Sequence, residues 1–149
     1  DPNDNALDDA AAFEQAKAEY LVWLYVRNSA RDIKATNWYH LDRYGWLKGG
    51  LLDEDNAPLP VYEAYQVLTK ALDGAEFRHE FSIAHKTLIY EFKSEDHRVW
   101  ILFPVDGSQS SINTPPTFIK AFDLFGTPIE PTLHGIISFD QPIYLELTP

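Results

Sequence analysis

A short run of aromatic and polar side chains around position 40 is the part of this sequence best suited to chemistry. It contains Trp38, Tyr39, His40, Asp42 and Trp46. An indole face can stack on a flat ligand, and an imidazole or carboxylate can hydrogen-bond a ligand's polar groups. A Trp in a short apolar run is by default a core residue, and His40 or Asp42 could equally tether a loop. The run is therefore a candidate binding surface, with packing as its alternative.

The elements around this run are predicted to be helix, strand, helix. Apolar residues recur at helical spacing from about 8 to 28 and from about 60 to 72, where Pro60 suits the first turn and Gly74 the end. Residues 34–41 lie between charged residues, and at this length they favour a strand. Asp8 and Asp9 are placed to cap the first helix. The apolar positions that recur at this spacing in the first helix are Phe13, Ala16, Tyr20, Trp23 and Leu24.

The second half of the first helix, residues 20–26, is apolar on every side. A helix on the outside of a free-standing domain should keep one polar face. We therefore expect other parts of the protein to cover this helix on more than one side.

After Gly74 the apolar period changes from 3.6 to 2, which predicts strands. They are expected at residues 75–83, 88–92, 99–103, 117–124, 135–139 and 142–147, with turns between them. Six short alternating strands predict a small antiparallel β-sandwich. The fold class is thus α+β, with a helix-strand-helix segment in residues 1–73 and a sandwich in residues 74–149.

Composition narrows the possible partners. The chain has 12 Lys and Arg against 23 Asp and Glu, a formal net charge of −11, and the resulting repulsion of phosphates and anionic lipids argues against nucleic acid and membrane partners. The longest apolar run is too short to span a bilayer. The chain starts at Asp1–Pro2 with no initiator Met, and we expect this start to be an internal cut in a longer protein.

No cofactor or metal is predicted. The chain has no Cys, and its five His residues show no paired helical spacing. Residues 53–56 look like the start of a calcium loop, but the sixth position lacks Gly and Ala64 occupies the position of the bidentate Glu. A solvated turn is the better interpretation.

Several phrases of the sequence, in order, resemble a known family. Residues 36–39, the Gly-Leu-Leu and acidic turn leading to Leu-Pro-Val-Tyr in 50–62, and the phrases 121–128 and 137–145 are similar to the C-terminal end of a (β/α)8-barrel glycoside hydrolase of the large retaining clan. A β-sandwich often follows that barrel. The resemblance implies that residues 14–26 are the seventh helix, 36–39 the eighth strand and 44–72 the run through the eighth helix. Leu59 departs from the pattern, since Lys is commoner there.

The resemblance also assigns roles. Trp38 matches the aromatic residue that stacks under the sugar at the cleavage site, and Tyr39, His40, Asp42 and Trp46 could line the same cleft. The two catalytic carboxylates of such an enzyme lie at the ends of the fourth and seventh strands, upstream of Asp1. No catalytic residue is therefore predicted in this chain. The carboxylates that are present on predicted helices or in the acidic turn are expected to be solvated: Glu14, Glu19, Glu54 and Glu63.

The implied function is that of a C-terminal glycosidase fragment acting on O-glycosidic bonds, with a carbohydrate substrate and an upstream barrel segment or second copy as partners. The alternative is a non-catalytic carbohydrate-binding or structural β-sandwich module. Trp100 and Tyr144 are candidates for a sugar-binding face, although alternation favours core packing.

An isolated last barrel strand would leave two unpaired edges. We therefore expect residues 34–41 to join the sandwich or become irregular, or a second copy to cover Trp23, Trp38 and Trp46.

Overall fold

Two helices precede eight strands in the chain. The computed structural model describes residues 10–38, 40–41 and 49–149, apart from the side chain of Asp106. The helices are α1 (Ala10–Ala30) and α2 (Pro60–Ala71), and a 3-10 turn spans Val105–Gly107. The strands are β1 (Glu76–Ile83), β2 (Thr87–Lys93), β3 (Arg98–Pro104), β4 (Ser110–Asn113), β5 (Phe118–Asp123), β6 (Pro128–Ile129), β7 (Ile136–Phe139) and β8 (Ile143–Leu147).

The strands form two antiparallel sheets. Six of them pair in the order β1-β2-β3-β8-β5-β6, and β4 pairs with β7 in a separate ribbon. Strand β3 shows how the layers stack. Its residues Val99, Ile101 and Phe103 pack with the helices, while Leu102 packs with the ribbon. The six-stranded sheet is therefore the middle layer, with two helices on one face and the ribbon on the other.

Bulges adjust this alternation at the two outer parts of the large sheet. In β1 the register shifts between Phe77 and His79, so Phe77 packs on the helix side and Phe81 on the ribbon side. An unbroken strand would put both on one face, because their separation is even. A similar shift follows Phe118 in β5.

Most of the predicted elements are confirmed. Both helices lie within about two residues of their predicted bounds, and all six predicted strands are present. Strands β4 and β6 were expected to be turns: β4 is short and Ser-rich, and β6 has only two residues and begins with Pro128. The boundary predicted between residues 73 and 74 stays a prediction, while α1, α2 and the sheet share one hydrophobic cluster.

The predicted strand at residues 34–41 is wrong for the part the structure describes. Residues 35–38 and His40 are irregular, and Leu41 lies in a bend. A parallel barrel strand needs neighbours on both sides to pair its backbone groups, and no described strand lies beside this segment. Of the three expected outcomes, the irregular one is observed. Tyr39 and residues 42–48 lie outside the described residues.

The apolar positions that predict α1 are not the ones that face the core. The buried residues are Lys17, Ala18, Leu21, Val22 and Val26. Residues 20–26 are apolar on all sides, so periodicity could not decide which side meets the core. Of the apolar positions that predict the helix, Ala16 and Tyr20 are exposed and Trp23 is half-buried. The expected cover on more than one side is therefore incomplete, and the predicted caps Asp8 and Asp9 lie outside the described residues. None of the described helices is both long and apolar enough to cross a membrane.

The hydroxyl of Tyr144 gives a stability prediction. Tyr144 is fully buried, its ring stacks on Phe122 at 5.0 Å, and its oxygen has no hydrogen-bond partner among the described residues. An unsatisfied buried polar group costs about 1–3 kcal/mol. We expect Tyr144→Phe to keep or raise the free energy of unfolding by up to about 2 kcal/mol in chemical denaturation. Tyr144→Ala, which removes the ring, should lower it by about 3–5 kcal/mol.

The substitution Tyr144→Phe should also change how the free energy of unfolding depends on pH. Burial raises the pKa of the Tyr144 hydroxyl above its ordinary value of about 10. The unfolded chain then loses this proton first, so stability contributed by the neutral hydroxyl is complete below about pH 10 and falls as the pH rises further. Tyr144→Phe should therefore lose less stability between pH 9 and 11. An equal or larger loss in the variant would contradict this account.

Candidate functional site

Trp38 is held in a fixed orientation although it lies in an irregular segment. Its indole Nε1 donates a hydrogen bond to the Gly49 carbonyl at 2.6 Å. Its ring lies 6.3 Å from the ring of Tyr20 at an angle of 58°, and it is half-buried. Thr36, two residues earlier, accepts a hydrogen bond from Asn28 of α1 at 3.0 Å. These contacts fix the position of the Trp38 segment, as pairing with neighbouring strands would do in a barrel.

Residues 50–52 are hydrogen-bonded to the end of the Trp38 segment and to α1. The Leu41 carbonyl accepts hydrogen bonds from the backbone N–H groups of Leu51 and Leu52 at 2.9 and 2.8 Å. Lys17, which is 7% exposed, donates to the Gly50 carbonyl at 3.0 Å. The Lys17 ammonium also lies 2.8–2.9 Å from both carboxylate oxygens of Glu14. A nearly buried ion pair on α1 therefore anchors Gly50 to the helix.

Tyr25 of α1 contacts both the Trp38 segment and α2. Its ring meets Tyr65 of α2 edge-on at 5.4 Å. Burial raises the pKa of the Tyr25 hydroxyl, with a smaller rise from Tyr65, while a hydrogen bond with the Trp38 backbone lowers it. The hydroxyl is thus neutral at physiological pH and links α1, α2 and the Trp38 segment.

The structure describes two of the five predicted site residues. Trp38 is placed as above, and His40 is half-buried two residues further on. Tyr39, Asp42 and Trp46 lie outside the described residues. The structure also brings Tyr20 and Trp23 of α1 to this site, and neither was among the predicted site residues. The signal that could have found them is the all-round apolar character of residues 20–26.

Of the four carboxylates predicted to be solvated, two have side-chain partners and two are exposed. Glu14 pairs with Lys17, and Glu19 accepts a hydrogen bond from Gln15 at 2.9 Å. Glu54 and Glu63 are exposed. In the acidic turn, Asp53 Oδ1 accepts hydrogen bonds from the N–H groups of residues 55 and 57, so this carboxylate shapes the turn. Within the described ranges, no group of three or more His, Asp or Glu side chains could hold a metal ion.

Neither aromatic candidate on the sheet forms a sugar-binding face. Tyr144 is fully buried. Trp100 is half-buried, its indole N–H donates to Glu91 Oε2 at 2.5 Å, and its ring packs edge-on against Phe81 at 5.2 Å. Core packing is confirmed for Tyr144, and Trp100 closes the ribbon side of the sheet.

Comparison with known proteins gives a structural likeness and no sequence likeness. No family model and no curated protein sequence matches the chain. A solved structure of a family 39 glycoside hydrolase from the gut symbiont Bacteroides cellulosilyticus WH2 matches 88% of the chain with a TM-score of 0.69 and 19% identity. The chain has the fold of part of that glycoside hydrolase. It spans 30% of the hydrolase's length.

A second solved structure, an alpha-amylase from Anoxybacillus, matches 60% of this chain and 22% of its own with 11% identity. Its TM-score is 0.43, which is too low to define a shared fold.

The Lys17 ion pair gives a second prediction. Lys17→Met keeps the aliphatic volume but leaves the Glu14 carboxylate and the Gly50 carbonyl without the ammonium. Breaking a buried pair from one side costs about 3–5 kcal/mol, and we expect a loss of about 3 kcal/mol in the free energy of unfolding. The matched control is Lys34→Met, because Lys34 pairs with Asp32 in full exposure to solvent. A loss in Lys17→Met no larger than in the control would contradict the buried anchor.

The indole hydrogen bond gives a third prediction. Trp38→Phe removes the donor to Gly49 while keeping an aromatic ring, and should cost about 1 kcal/mol. Because the bond fixes the start of the 49–52 segment, the Leu51 and Leu52 amides should exchange with deuterium faster. Trp100→Phe serves as the control, since it removes an indole donor on the opposite face of the sheet. Unchanged protection of both amides in Trp38→Phe would refute the role of this bond.

Proposed function

We propose that this chain is the C-terminal part of a retaining glycoside hydrolase that acts on O-glycosidic bonds of carbohydrates. In this proposal the chain contributes a sugar-stacking Trp38 and a structural scaffold. The observation that supports it most is the match to the family 39 hydrolase over 88% of the chain. Residues 74–149 are only about half of the chain, so a match of that extent includes helical residues as well as the sheet.

The proposed chemistry places the reacting groups outside this chain. Cleavage with retention needs two carboxyl groups about 5 Å apart, one as nucleophile and one as acid and base. Glu14 is paired with Lys17 and Glu19 with Gln15, so neither is offered for those roles. The catalytic carboxylates are proposed to lie upstream, on the barrel segment suggested by the sequence resemblance.

Trp38 is proposed to form one wall of the sugar site. The face of an aromatic ring carries negative charge density, and the C–H groups on one face of a pyranose are weakly positive, so the two surfaces attract. The hydrogen bond to Gly49 holds the indole plane in place before a sugar arrives. His40, Tyr39, Asp42 and Trp46 are proposed as further residues of the same wall.

The exposed apolar side chains beside Trp38 support an upstream partner. Ile33 and Leu41 are 47% and 63% exposed on either side of the Trp38 segment. Large apolar side chains grouped on a surface commonly mark an interface. We propose that the upstream barrel segment covers them, with a second copy of the chain as the alternative occupant.

The test begins with the sequence that precedes Asp1 in the encoding gene. The proposal expects two carboxylates there, at the ends of two predicted strands. The full-length protein should release p-nitrophenol from at least one of a panel of pentose and hexose aryl glycosides. Proton NMR of the first product should show the starting anomeric configuration. No upstream carboxylates, or no hydrolysis of any glycoside, would refute the enzyme proposal.

The role of Trp38 is tested separately in the same full-length protein. Trp38→Ala should lower kcat/KM at least tenfold, whereas Trp38→Phe should retain most of it because a stacking face remains. Trp100→Phe, on the opposite side of the sheet, should leave kcat/KM unchanged. Equal kcat/KM for Trp38→Ala and the unchanged protein would remove Trp38 from the site. Sugar binding without upstream carboxylates would favour a non-catalytic carbohydrate-binding module.

A further inference from the structure

A cleft of about 430 Å³ opens between α1 and one end of the six-stranded sheet. The helix contributes Ala16, Glu19, Tyr20 and Trp23 to one wall. The opposite wall comes from the end of β3, the 3-10 turn and the turn before β8, at Pro104, Val105, Gly107, Asp140 and Pro142. This volume falls within the range of about 300–1,000 Å³ found for small-molecule sites.

The helix wall carries a pair of aligned aromatic rings. Tyr20 and Trp23 lie one turn apart, with centroids 6.1 Å apart and planes within 24° of parallel. Tyr20 is 54% exposed. The Arg27 guanidinium lies 4.6 Å from the centre of the Trp23 ring, and this cation–π contact holds the indole against the helix. The rings belong to the apolar stripe that the core leaves uncovered.

The two walls are tied together by a polar bridge. Gln15 Nε2 donates to Glu19 Oε1 at 2.9 Å and to Gln141 Oε1 at 2.6 Å. Gln141 follows Asp140 directly, so the bridge joins the helix to the turn that carries Asp140. The cleft therefore presents carboxylates from both walls, at Glu19 and Asp140.

These features select a class of ligand. The exposed ring of Tyr20 offers an aromatic surface to the C–H face of a pyranose, and carboxylate oxygens accept hydrogen bonds from hydroxyl groups. Two carboxylates in a chain of net charge −11 repel phosphates, sulfates and uronic acids. We propose that this cleft binds an uncharged oligosaccharide, with Tyr20 stacking on a sugar ring, Trp23 lining the cleft beside it, and Glu19 and Asp140 accepting hydroxyl hydrogen bonds.

The proposal goes beyond the function proposed above, because binding in this cleft needs neither Trp38 nor an upstream carboxylate. Trp38 is not among the residues that line the cleft, but its ring lies 6.3 Å from that of Tyr20. Asp140 lies on the opposite wall, so Asp140→Asn tests the cleft without changing the Tyr20–Trp38 contact, and its result is separate from that of the enzyme proposal.

The test is an NMR titration of the isotope-labelled full chain with cellotriose, xylotriose and maltotriose. At least one trisaccharide should shift the indole N–H resonance of Trp23 and the amides of Gly107 and Asp140 in one saturable process. Trigalacturonate, the charged probe, should bind at least tenfold more weakly. The Trp23 resonance is assigned with Trp23→Phe.

Matched variants locate the site. Tyr20→Ala and Asp140→Asn change residues on opposite walls of the cleft. Each should weaken trisaccharide binding at least fivefold. Ile119→Ala is the control, because Ile119 is also 54% exposed but lies on β5. Far-ultraviolet circular dichroism checks that each variant is folded. Asp140→Asn, a conservative change in an exposed turn, keeps the test valid if Tyr20→Ala unfolds.

Three results would overturn the proposal. One is the absence of saturable shifts with all three neutral trisaccharides. Another is unchanged affinity in both Tyr20→Ala and Asp140→Asn. The last is binding of trigalacturonate as tight as that of the neutral sugars, which would show that the carboxylates do not select the ligand.

Discussion

The six-stranded sheet is apolar on both faces, and the rest of the structure follows from the need to cover each of them. Its central strands β3 and β8 alternate buried residues toward opposite sides, so neither face can meet water. The helices cover one side through Leu21, Val26 and Leu68. The small ribbon covers the other through Ile112, Ile137 and Phe139. The number of strands alone predicts a β-sandwich of two sheets. In this fold the layer on one face of the six-stranded sheet consists of the two helices instead of a second sheet.

This constraint explains what the sequence predicts well. A strand such as β2 reads as a nearly continuous apolar run because Leu88, Tyr90 and Phe92 serve one layer while Ile89 serves the other. Pro60 and Gly74 mark the second helix by local chemistry that needs no tertiary context. Strand β4 was not predicted because Ser residues are common in turns. Its strand conformation depends on pairing with β7, which is distant in the sequence.

The candidate site was less predictable, and for physical reasons. The sequence marks Trp38, but the bond from its indole to Gly49 joins residues eleven positions apart and has no local signature. Tyr20 and Trp23 were not predicted as site residues, because hydrophobicity shows that a residue can be buried but not which side of a helix meets the core. Residues 20–26 offer more apolar surface than the sheet can cover, so the burial of one side leaves another open.

The contacts that join residues 38–41 to residues 49–52 have a consequence for how such a surface could diversify. Leu41 bonds to Leu51 and Leu52, Trp38 to Gly49, and Lys17 to Gly50, so the two segments are held together by their own residues and by α1. The entropy of closing a loop grows only slowly with its length. Lengthening the chain between Leu41 and Gly49 should therefore cost little folding free energy. The anchored indole would remain in place while the sequence beside it varied, which is the arrangement from which new ligand preferences can evolve.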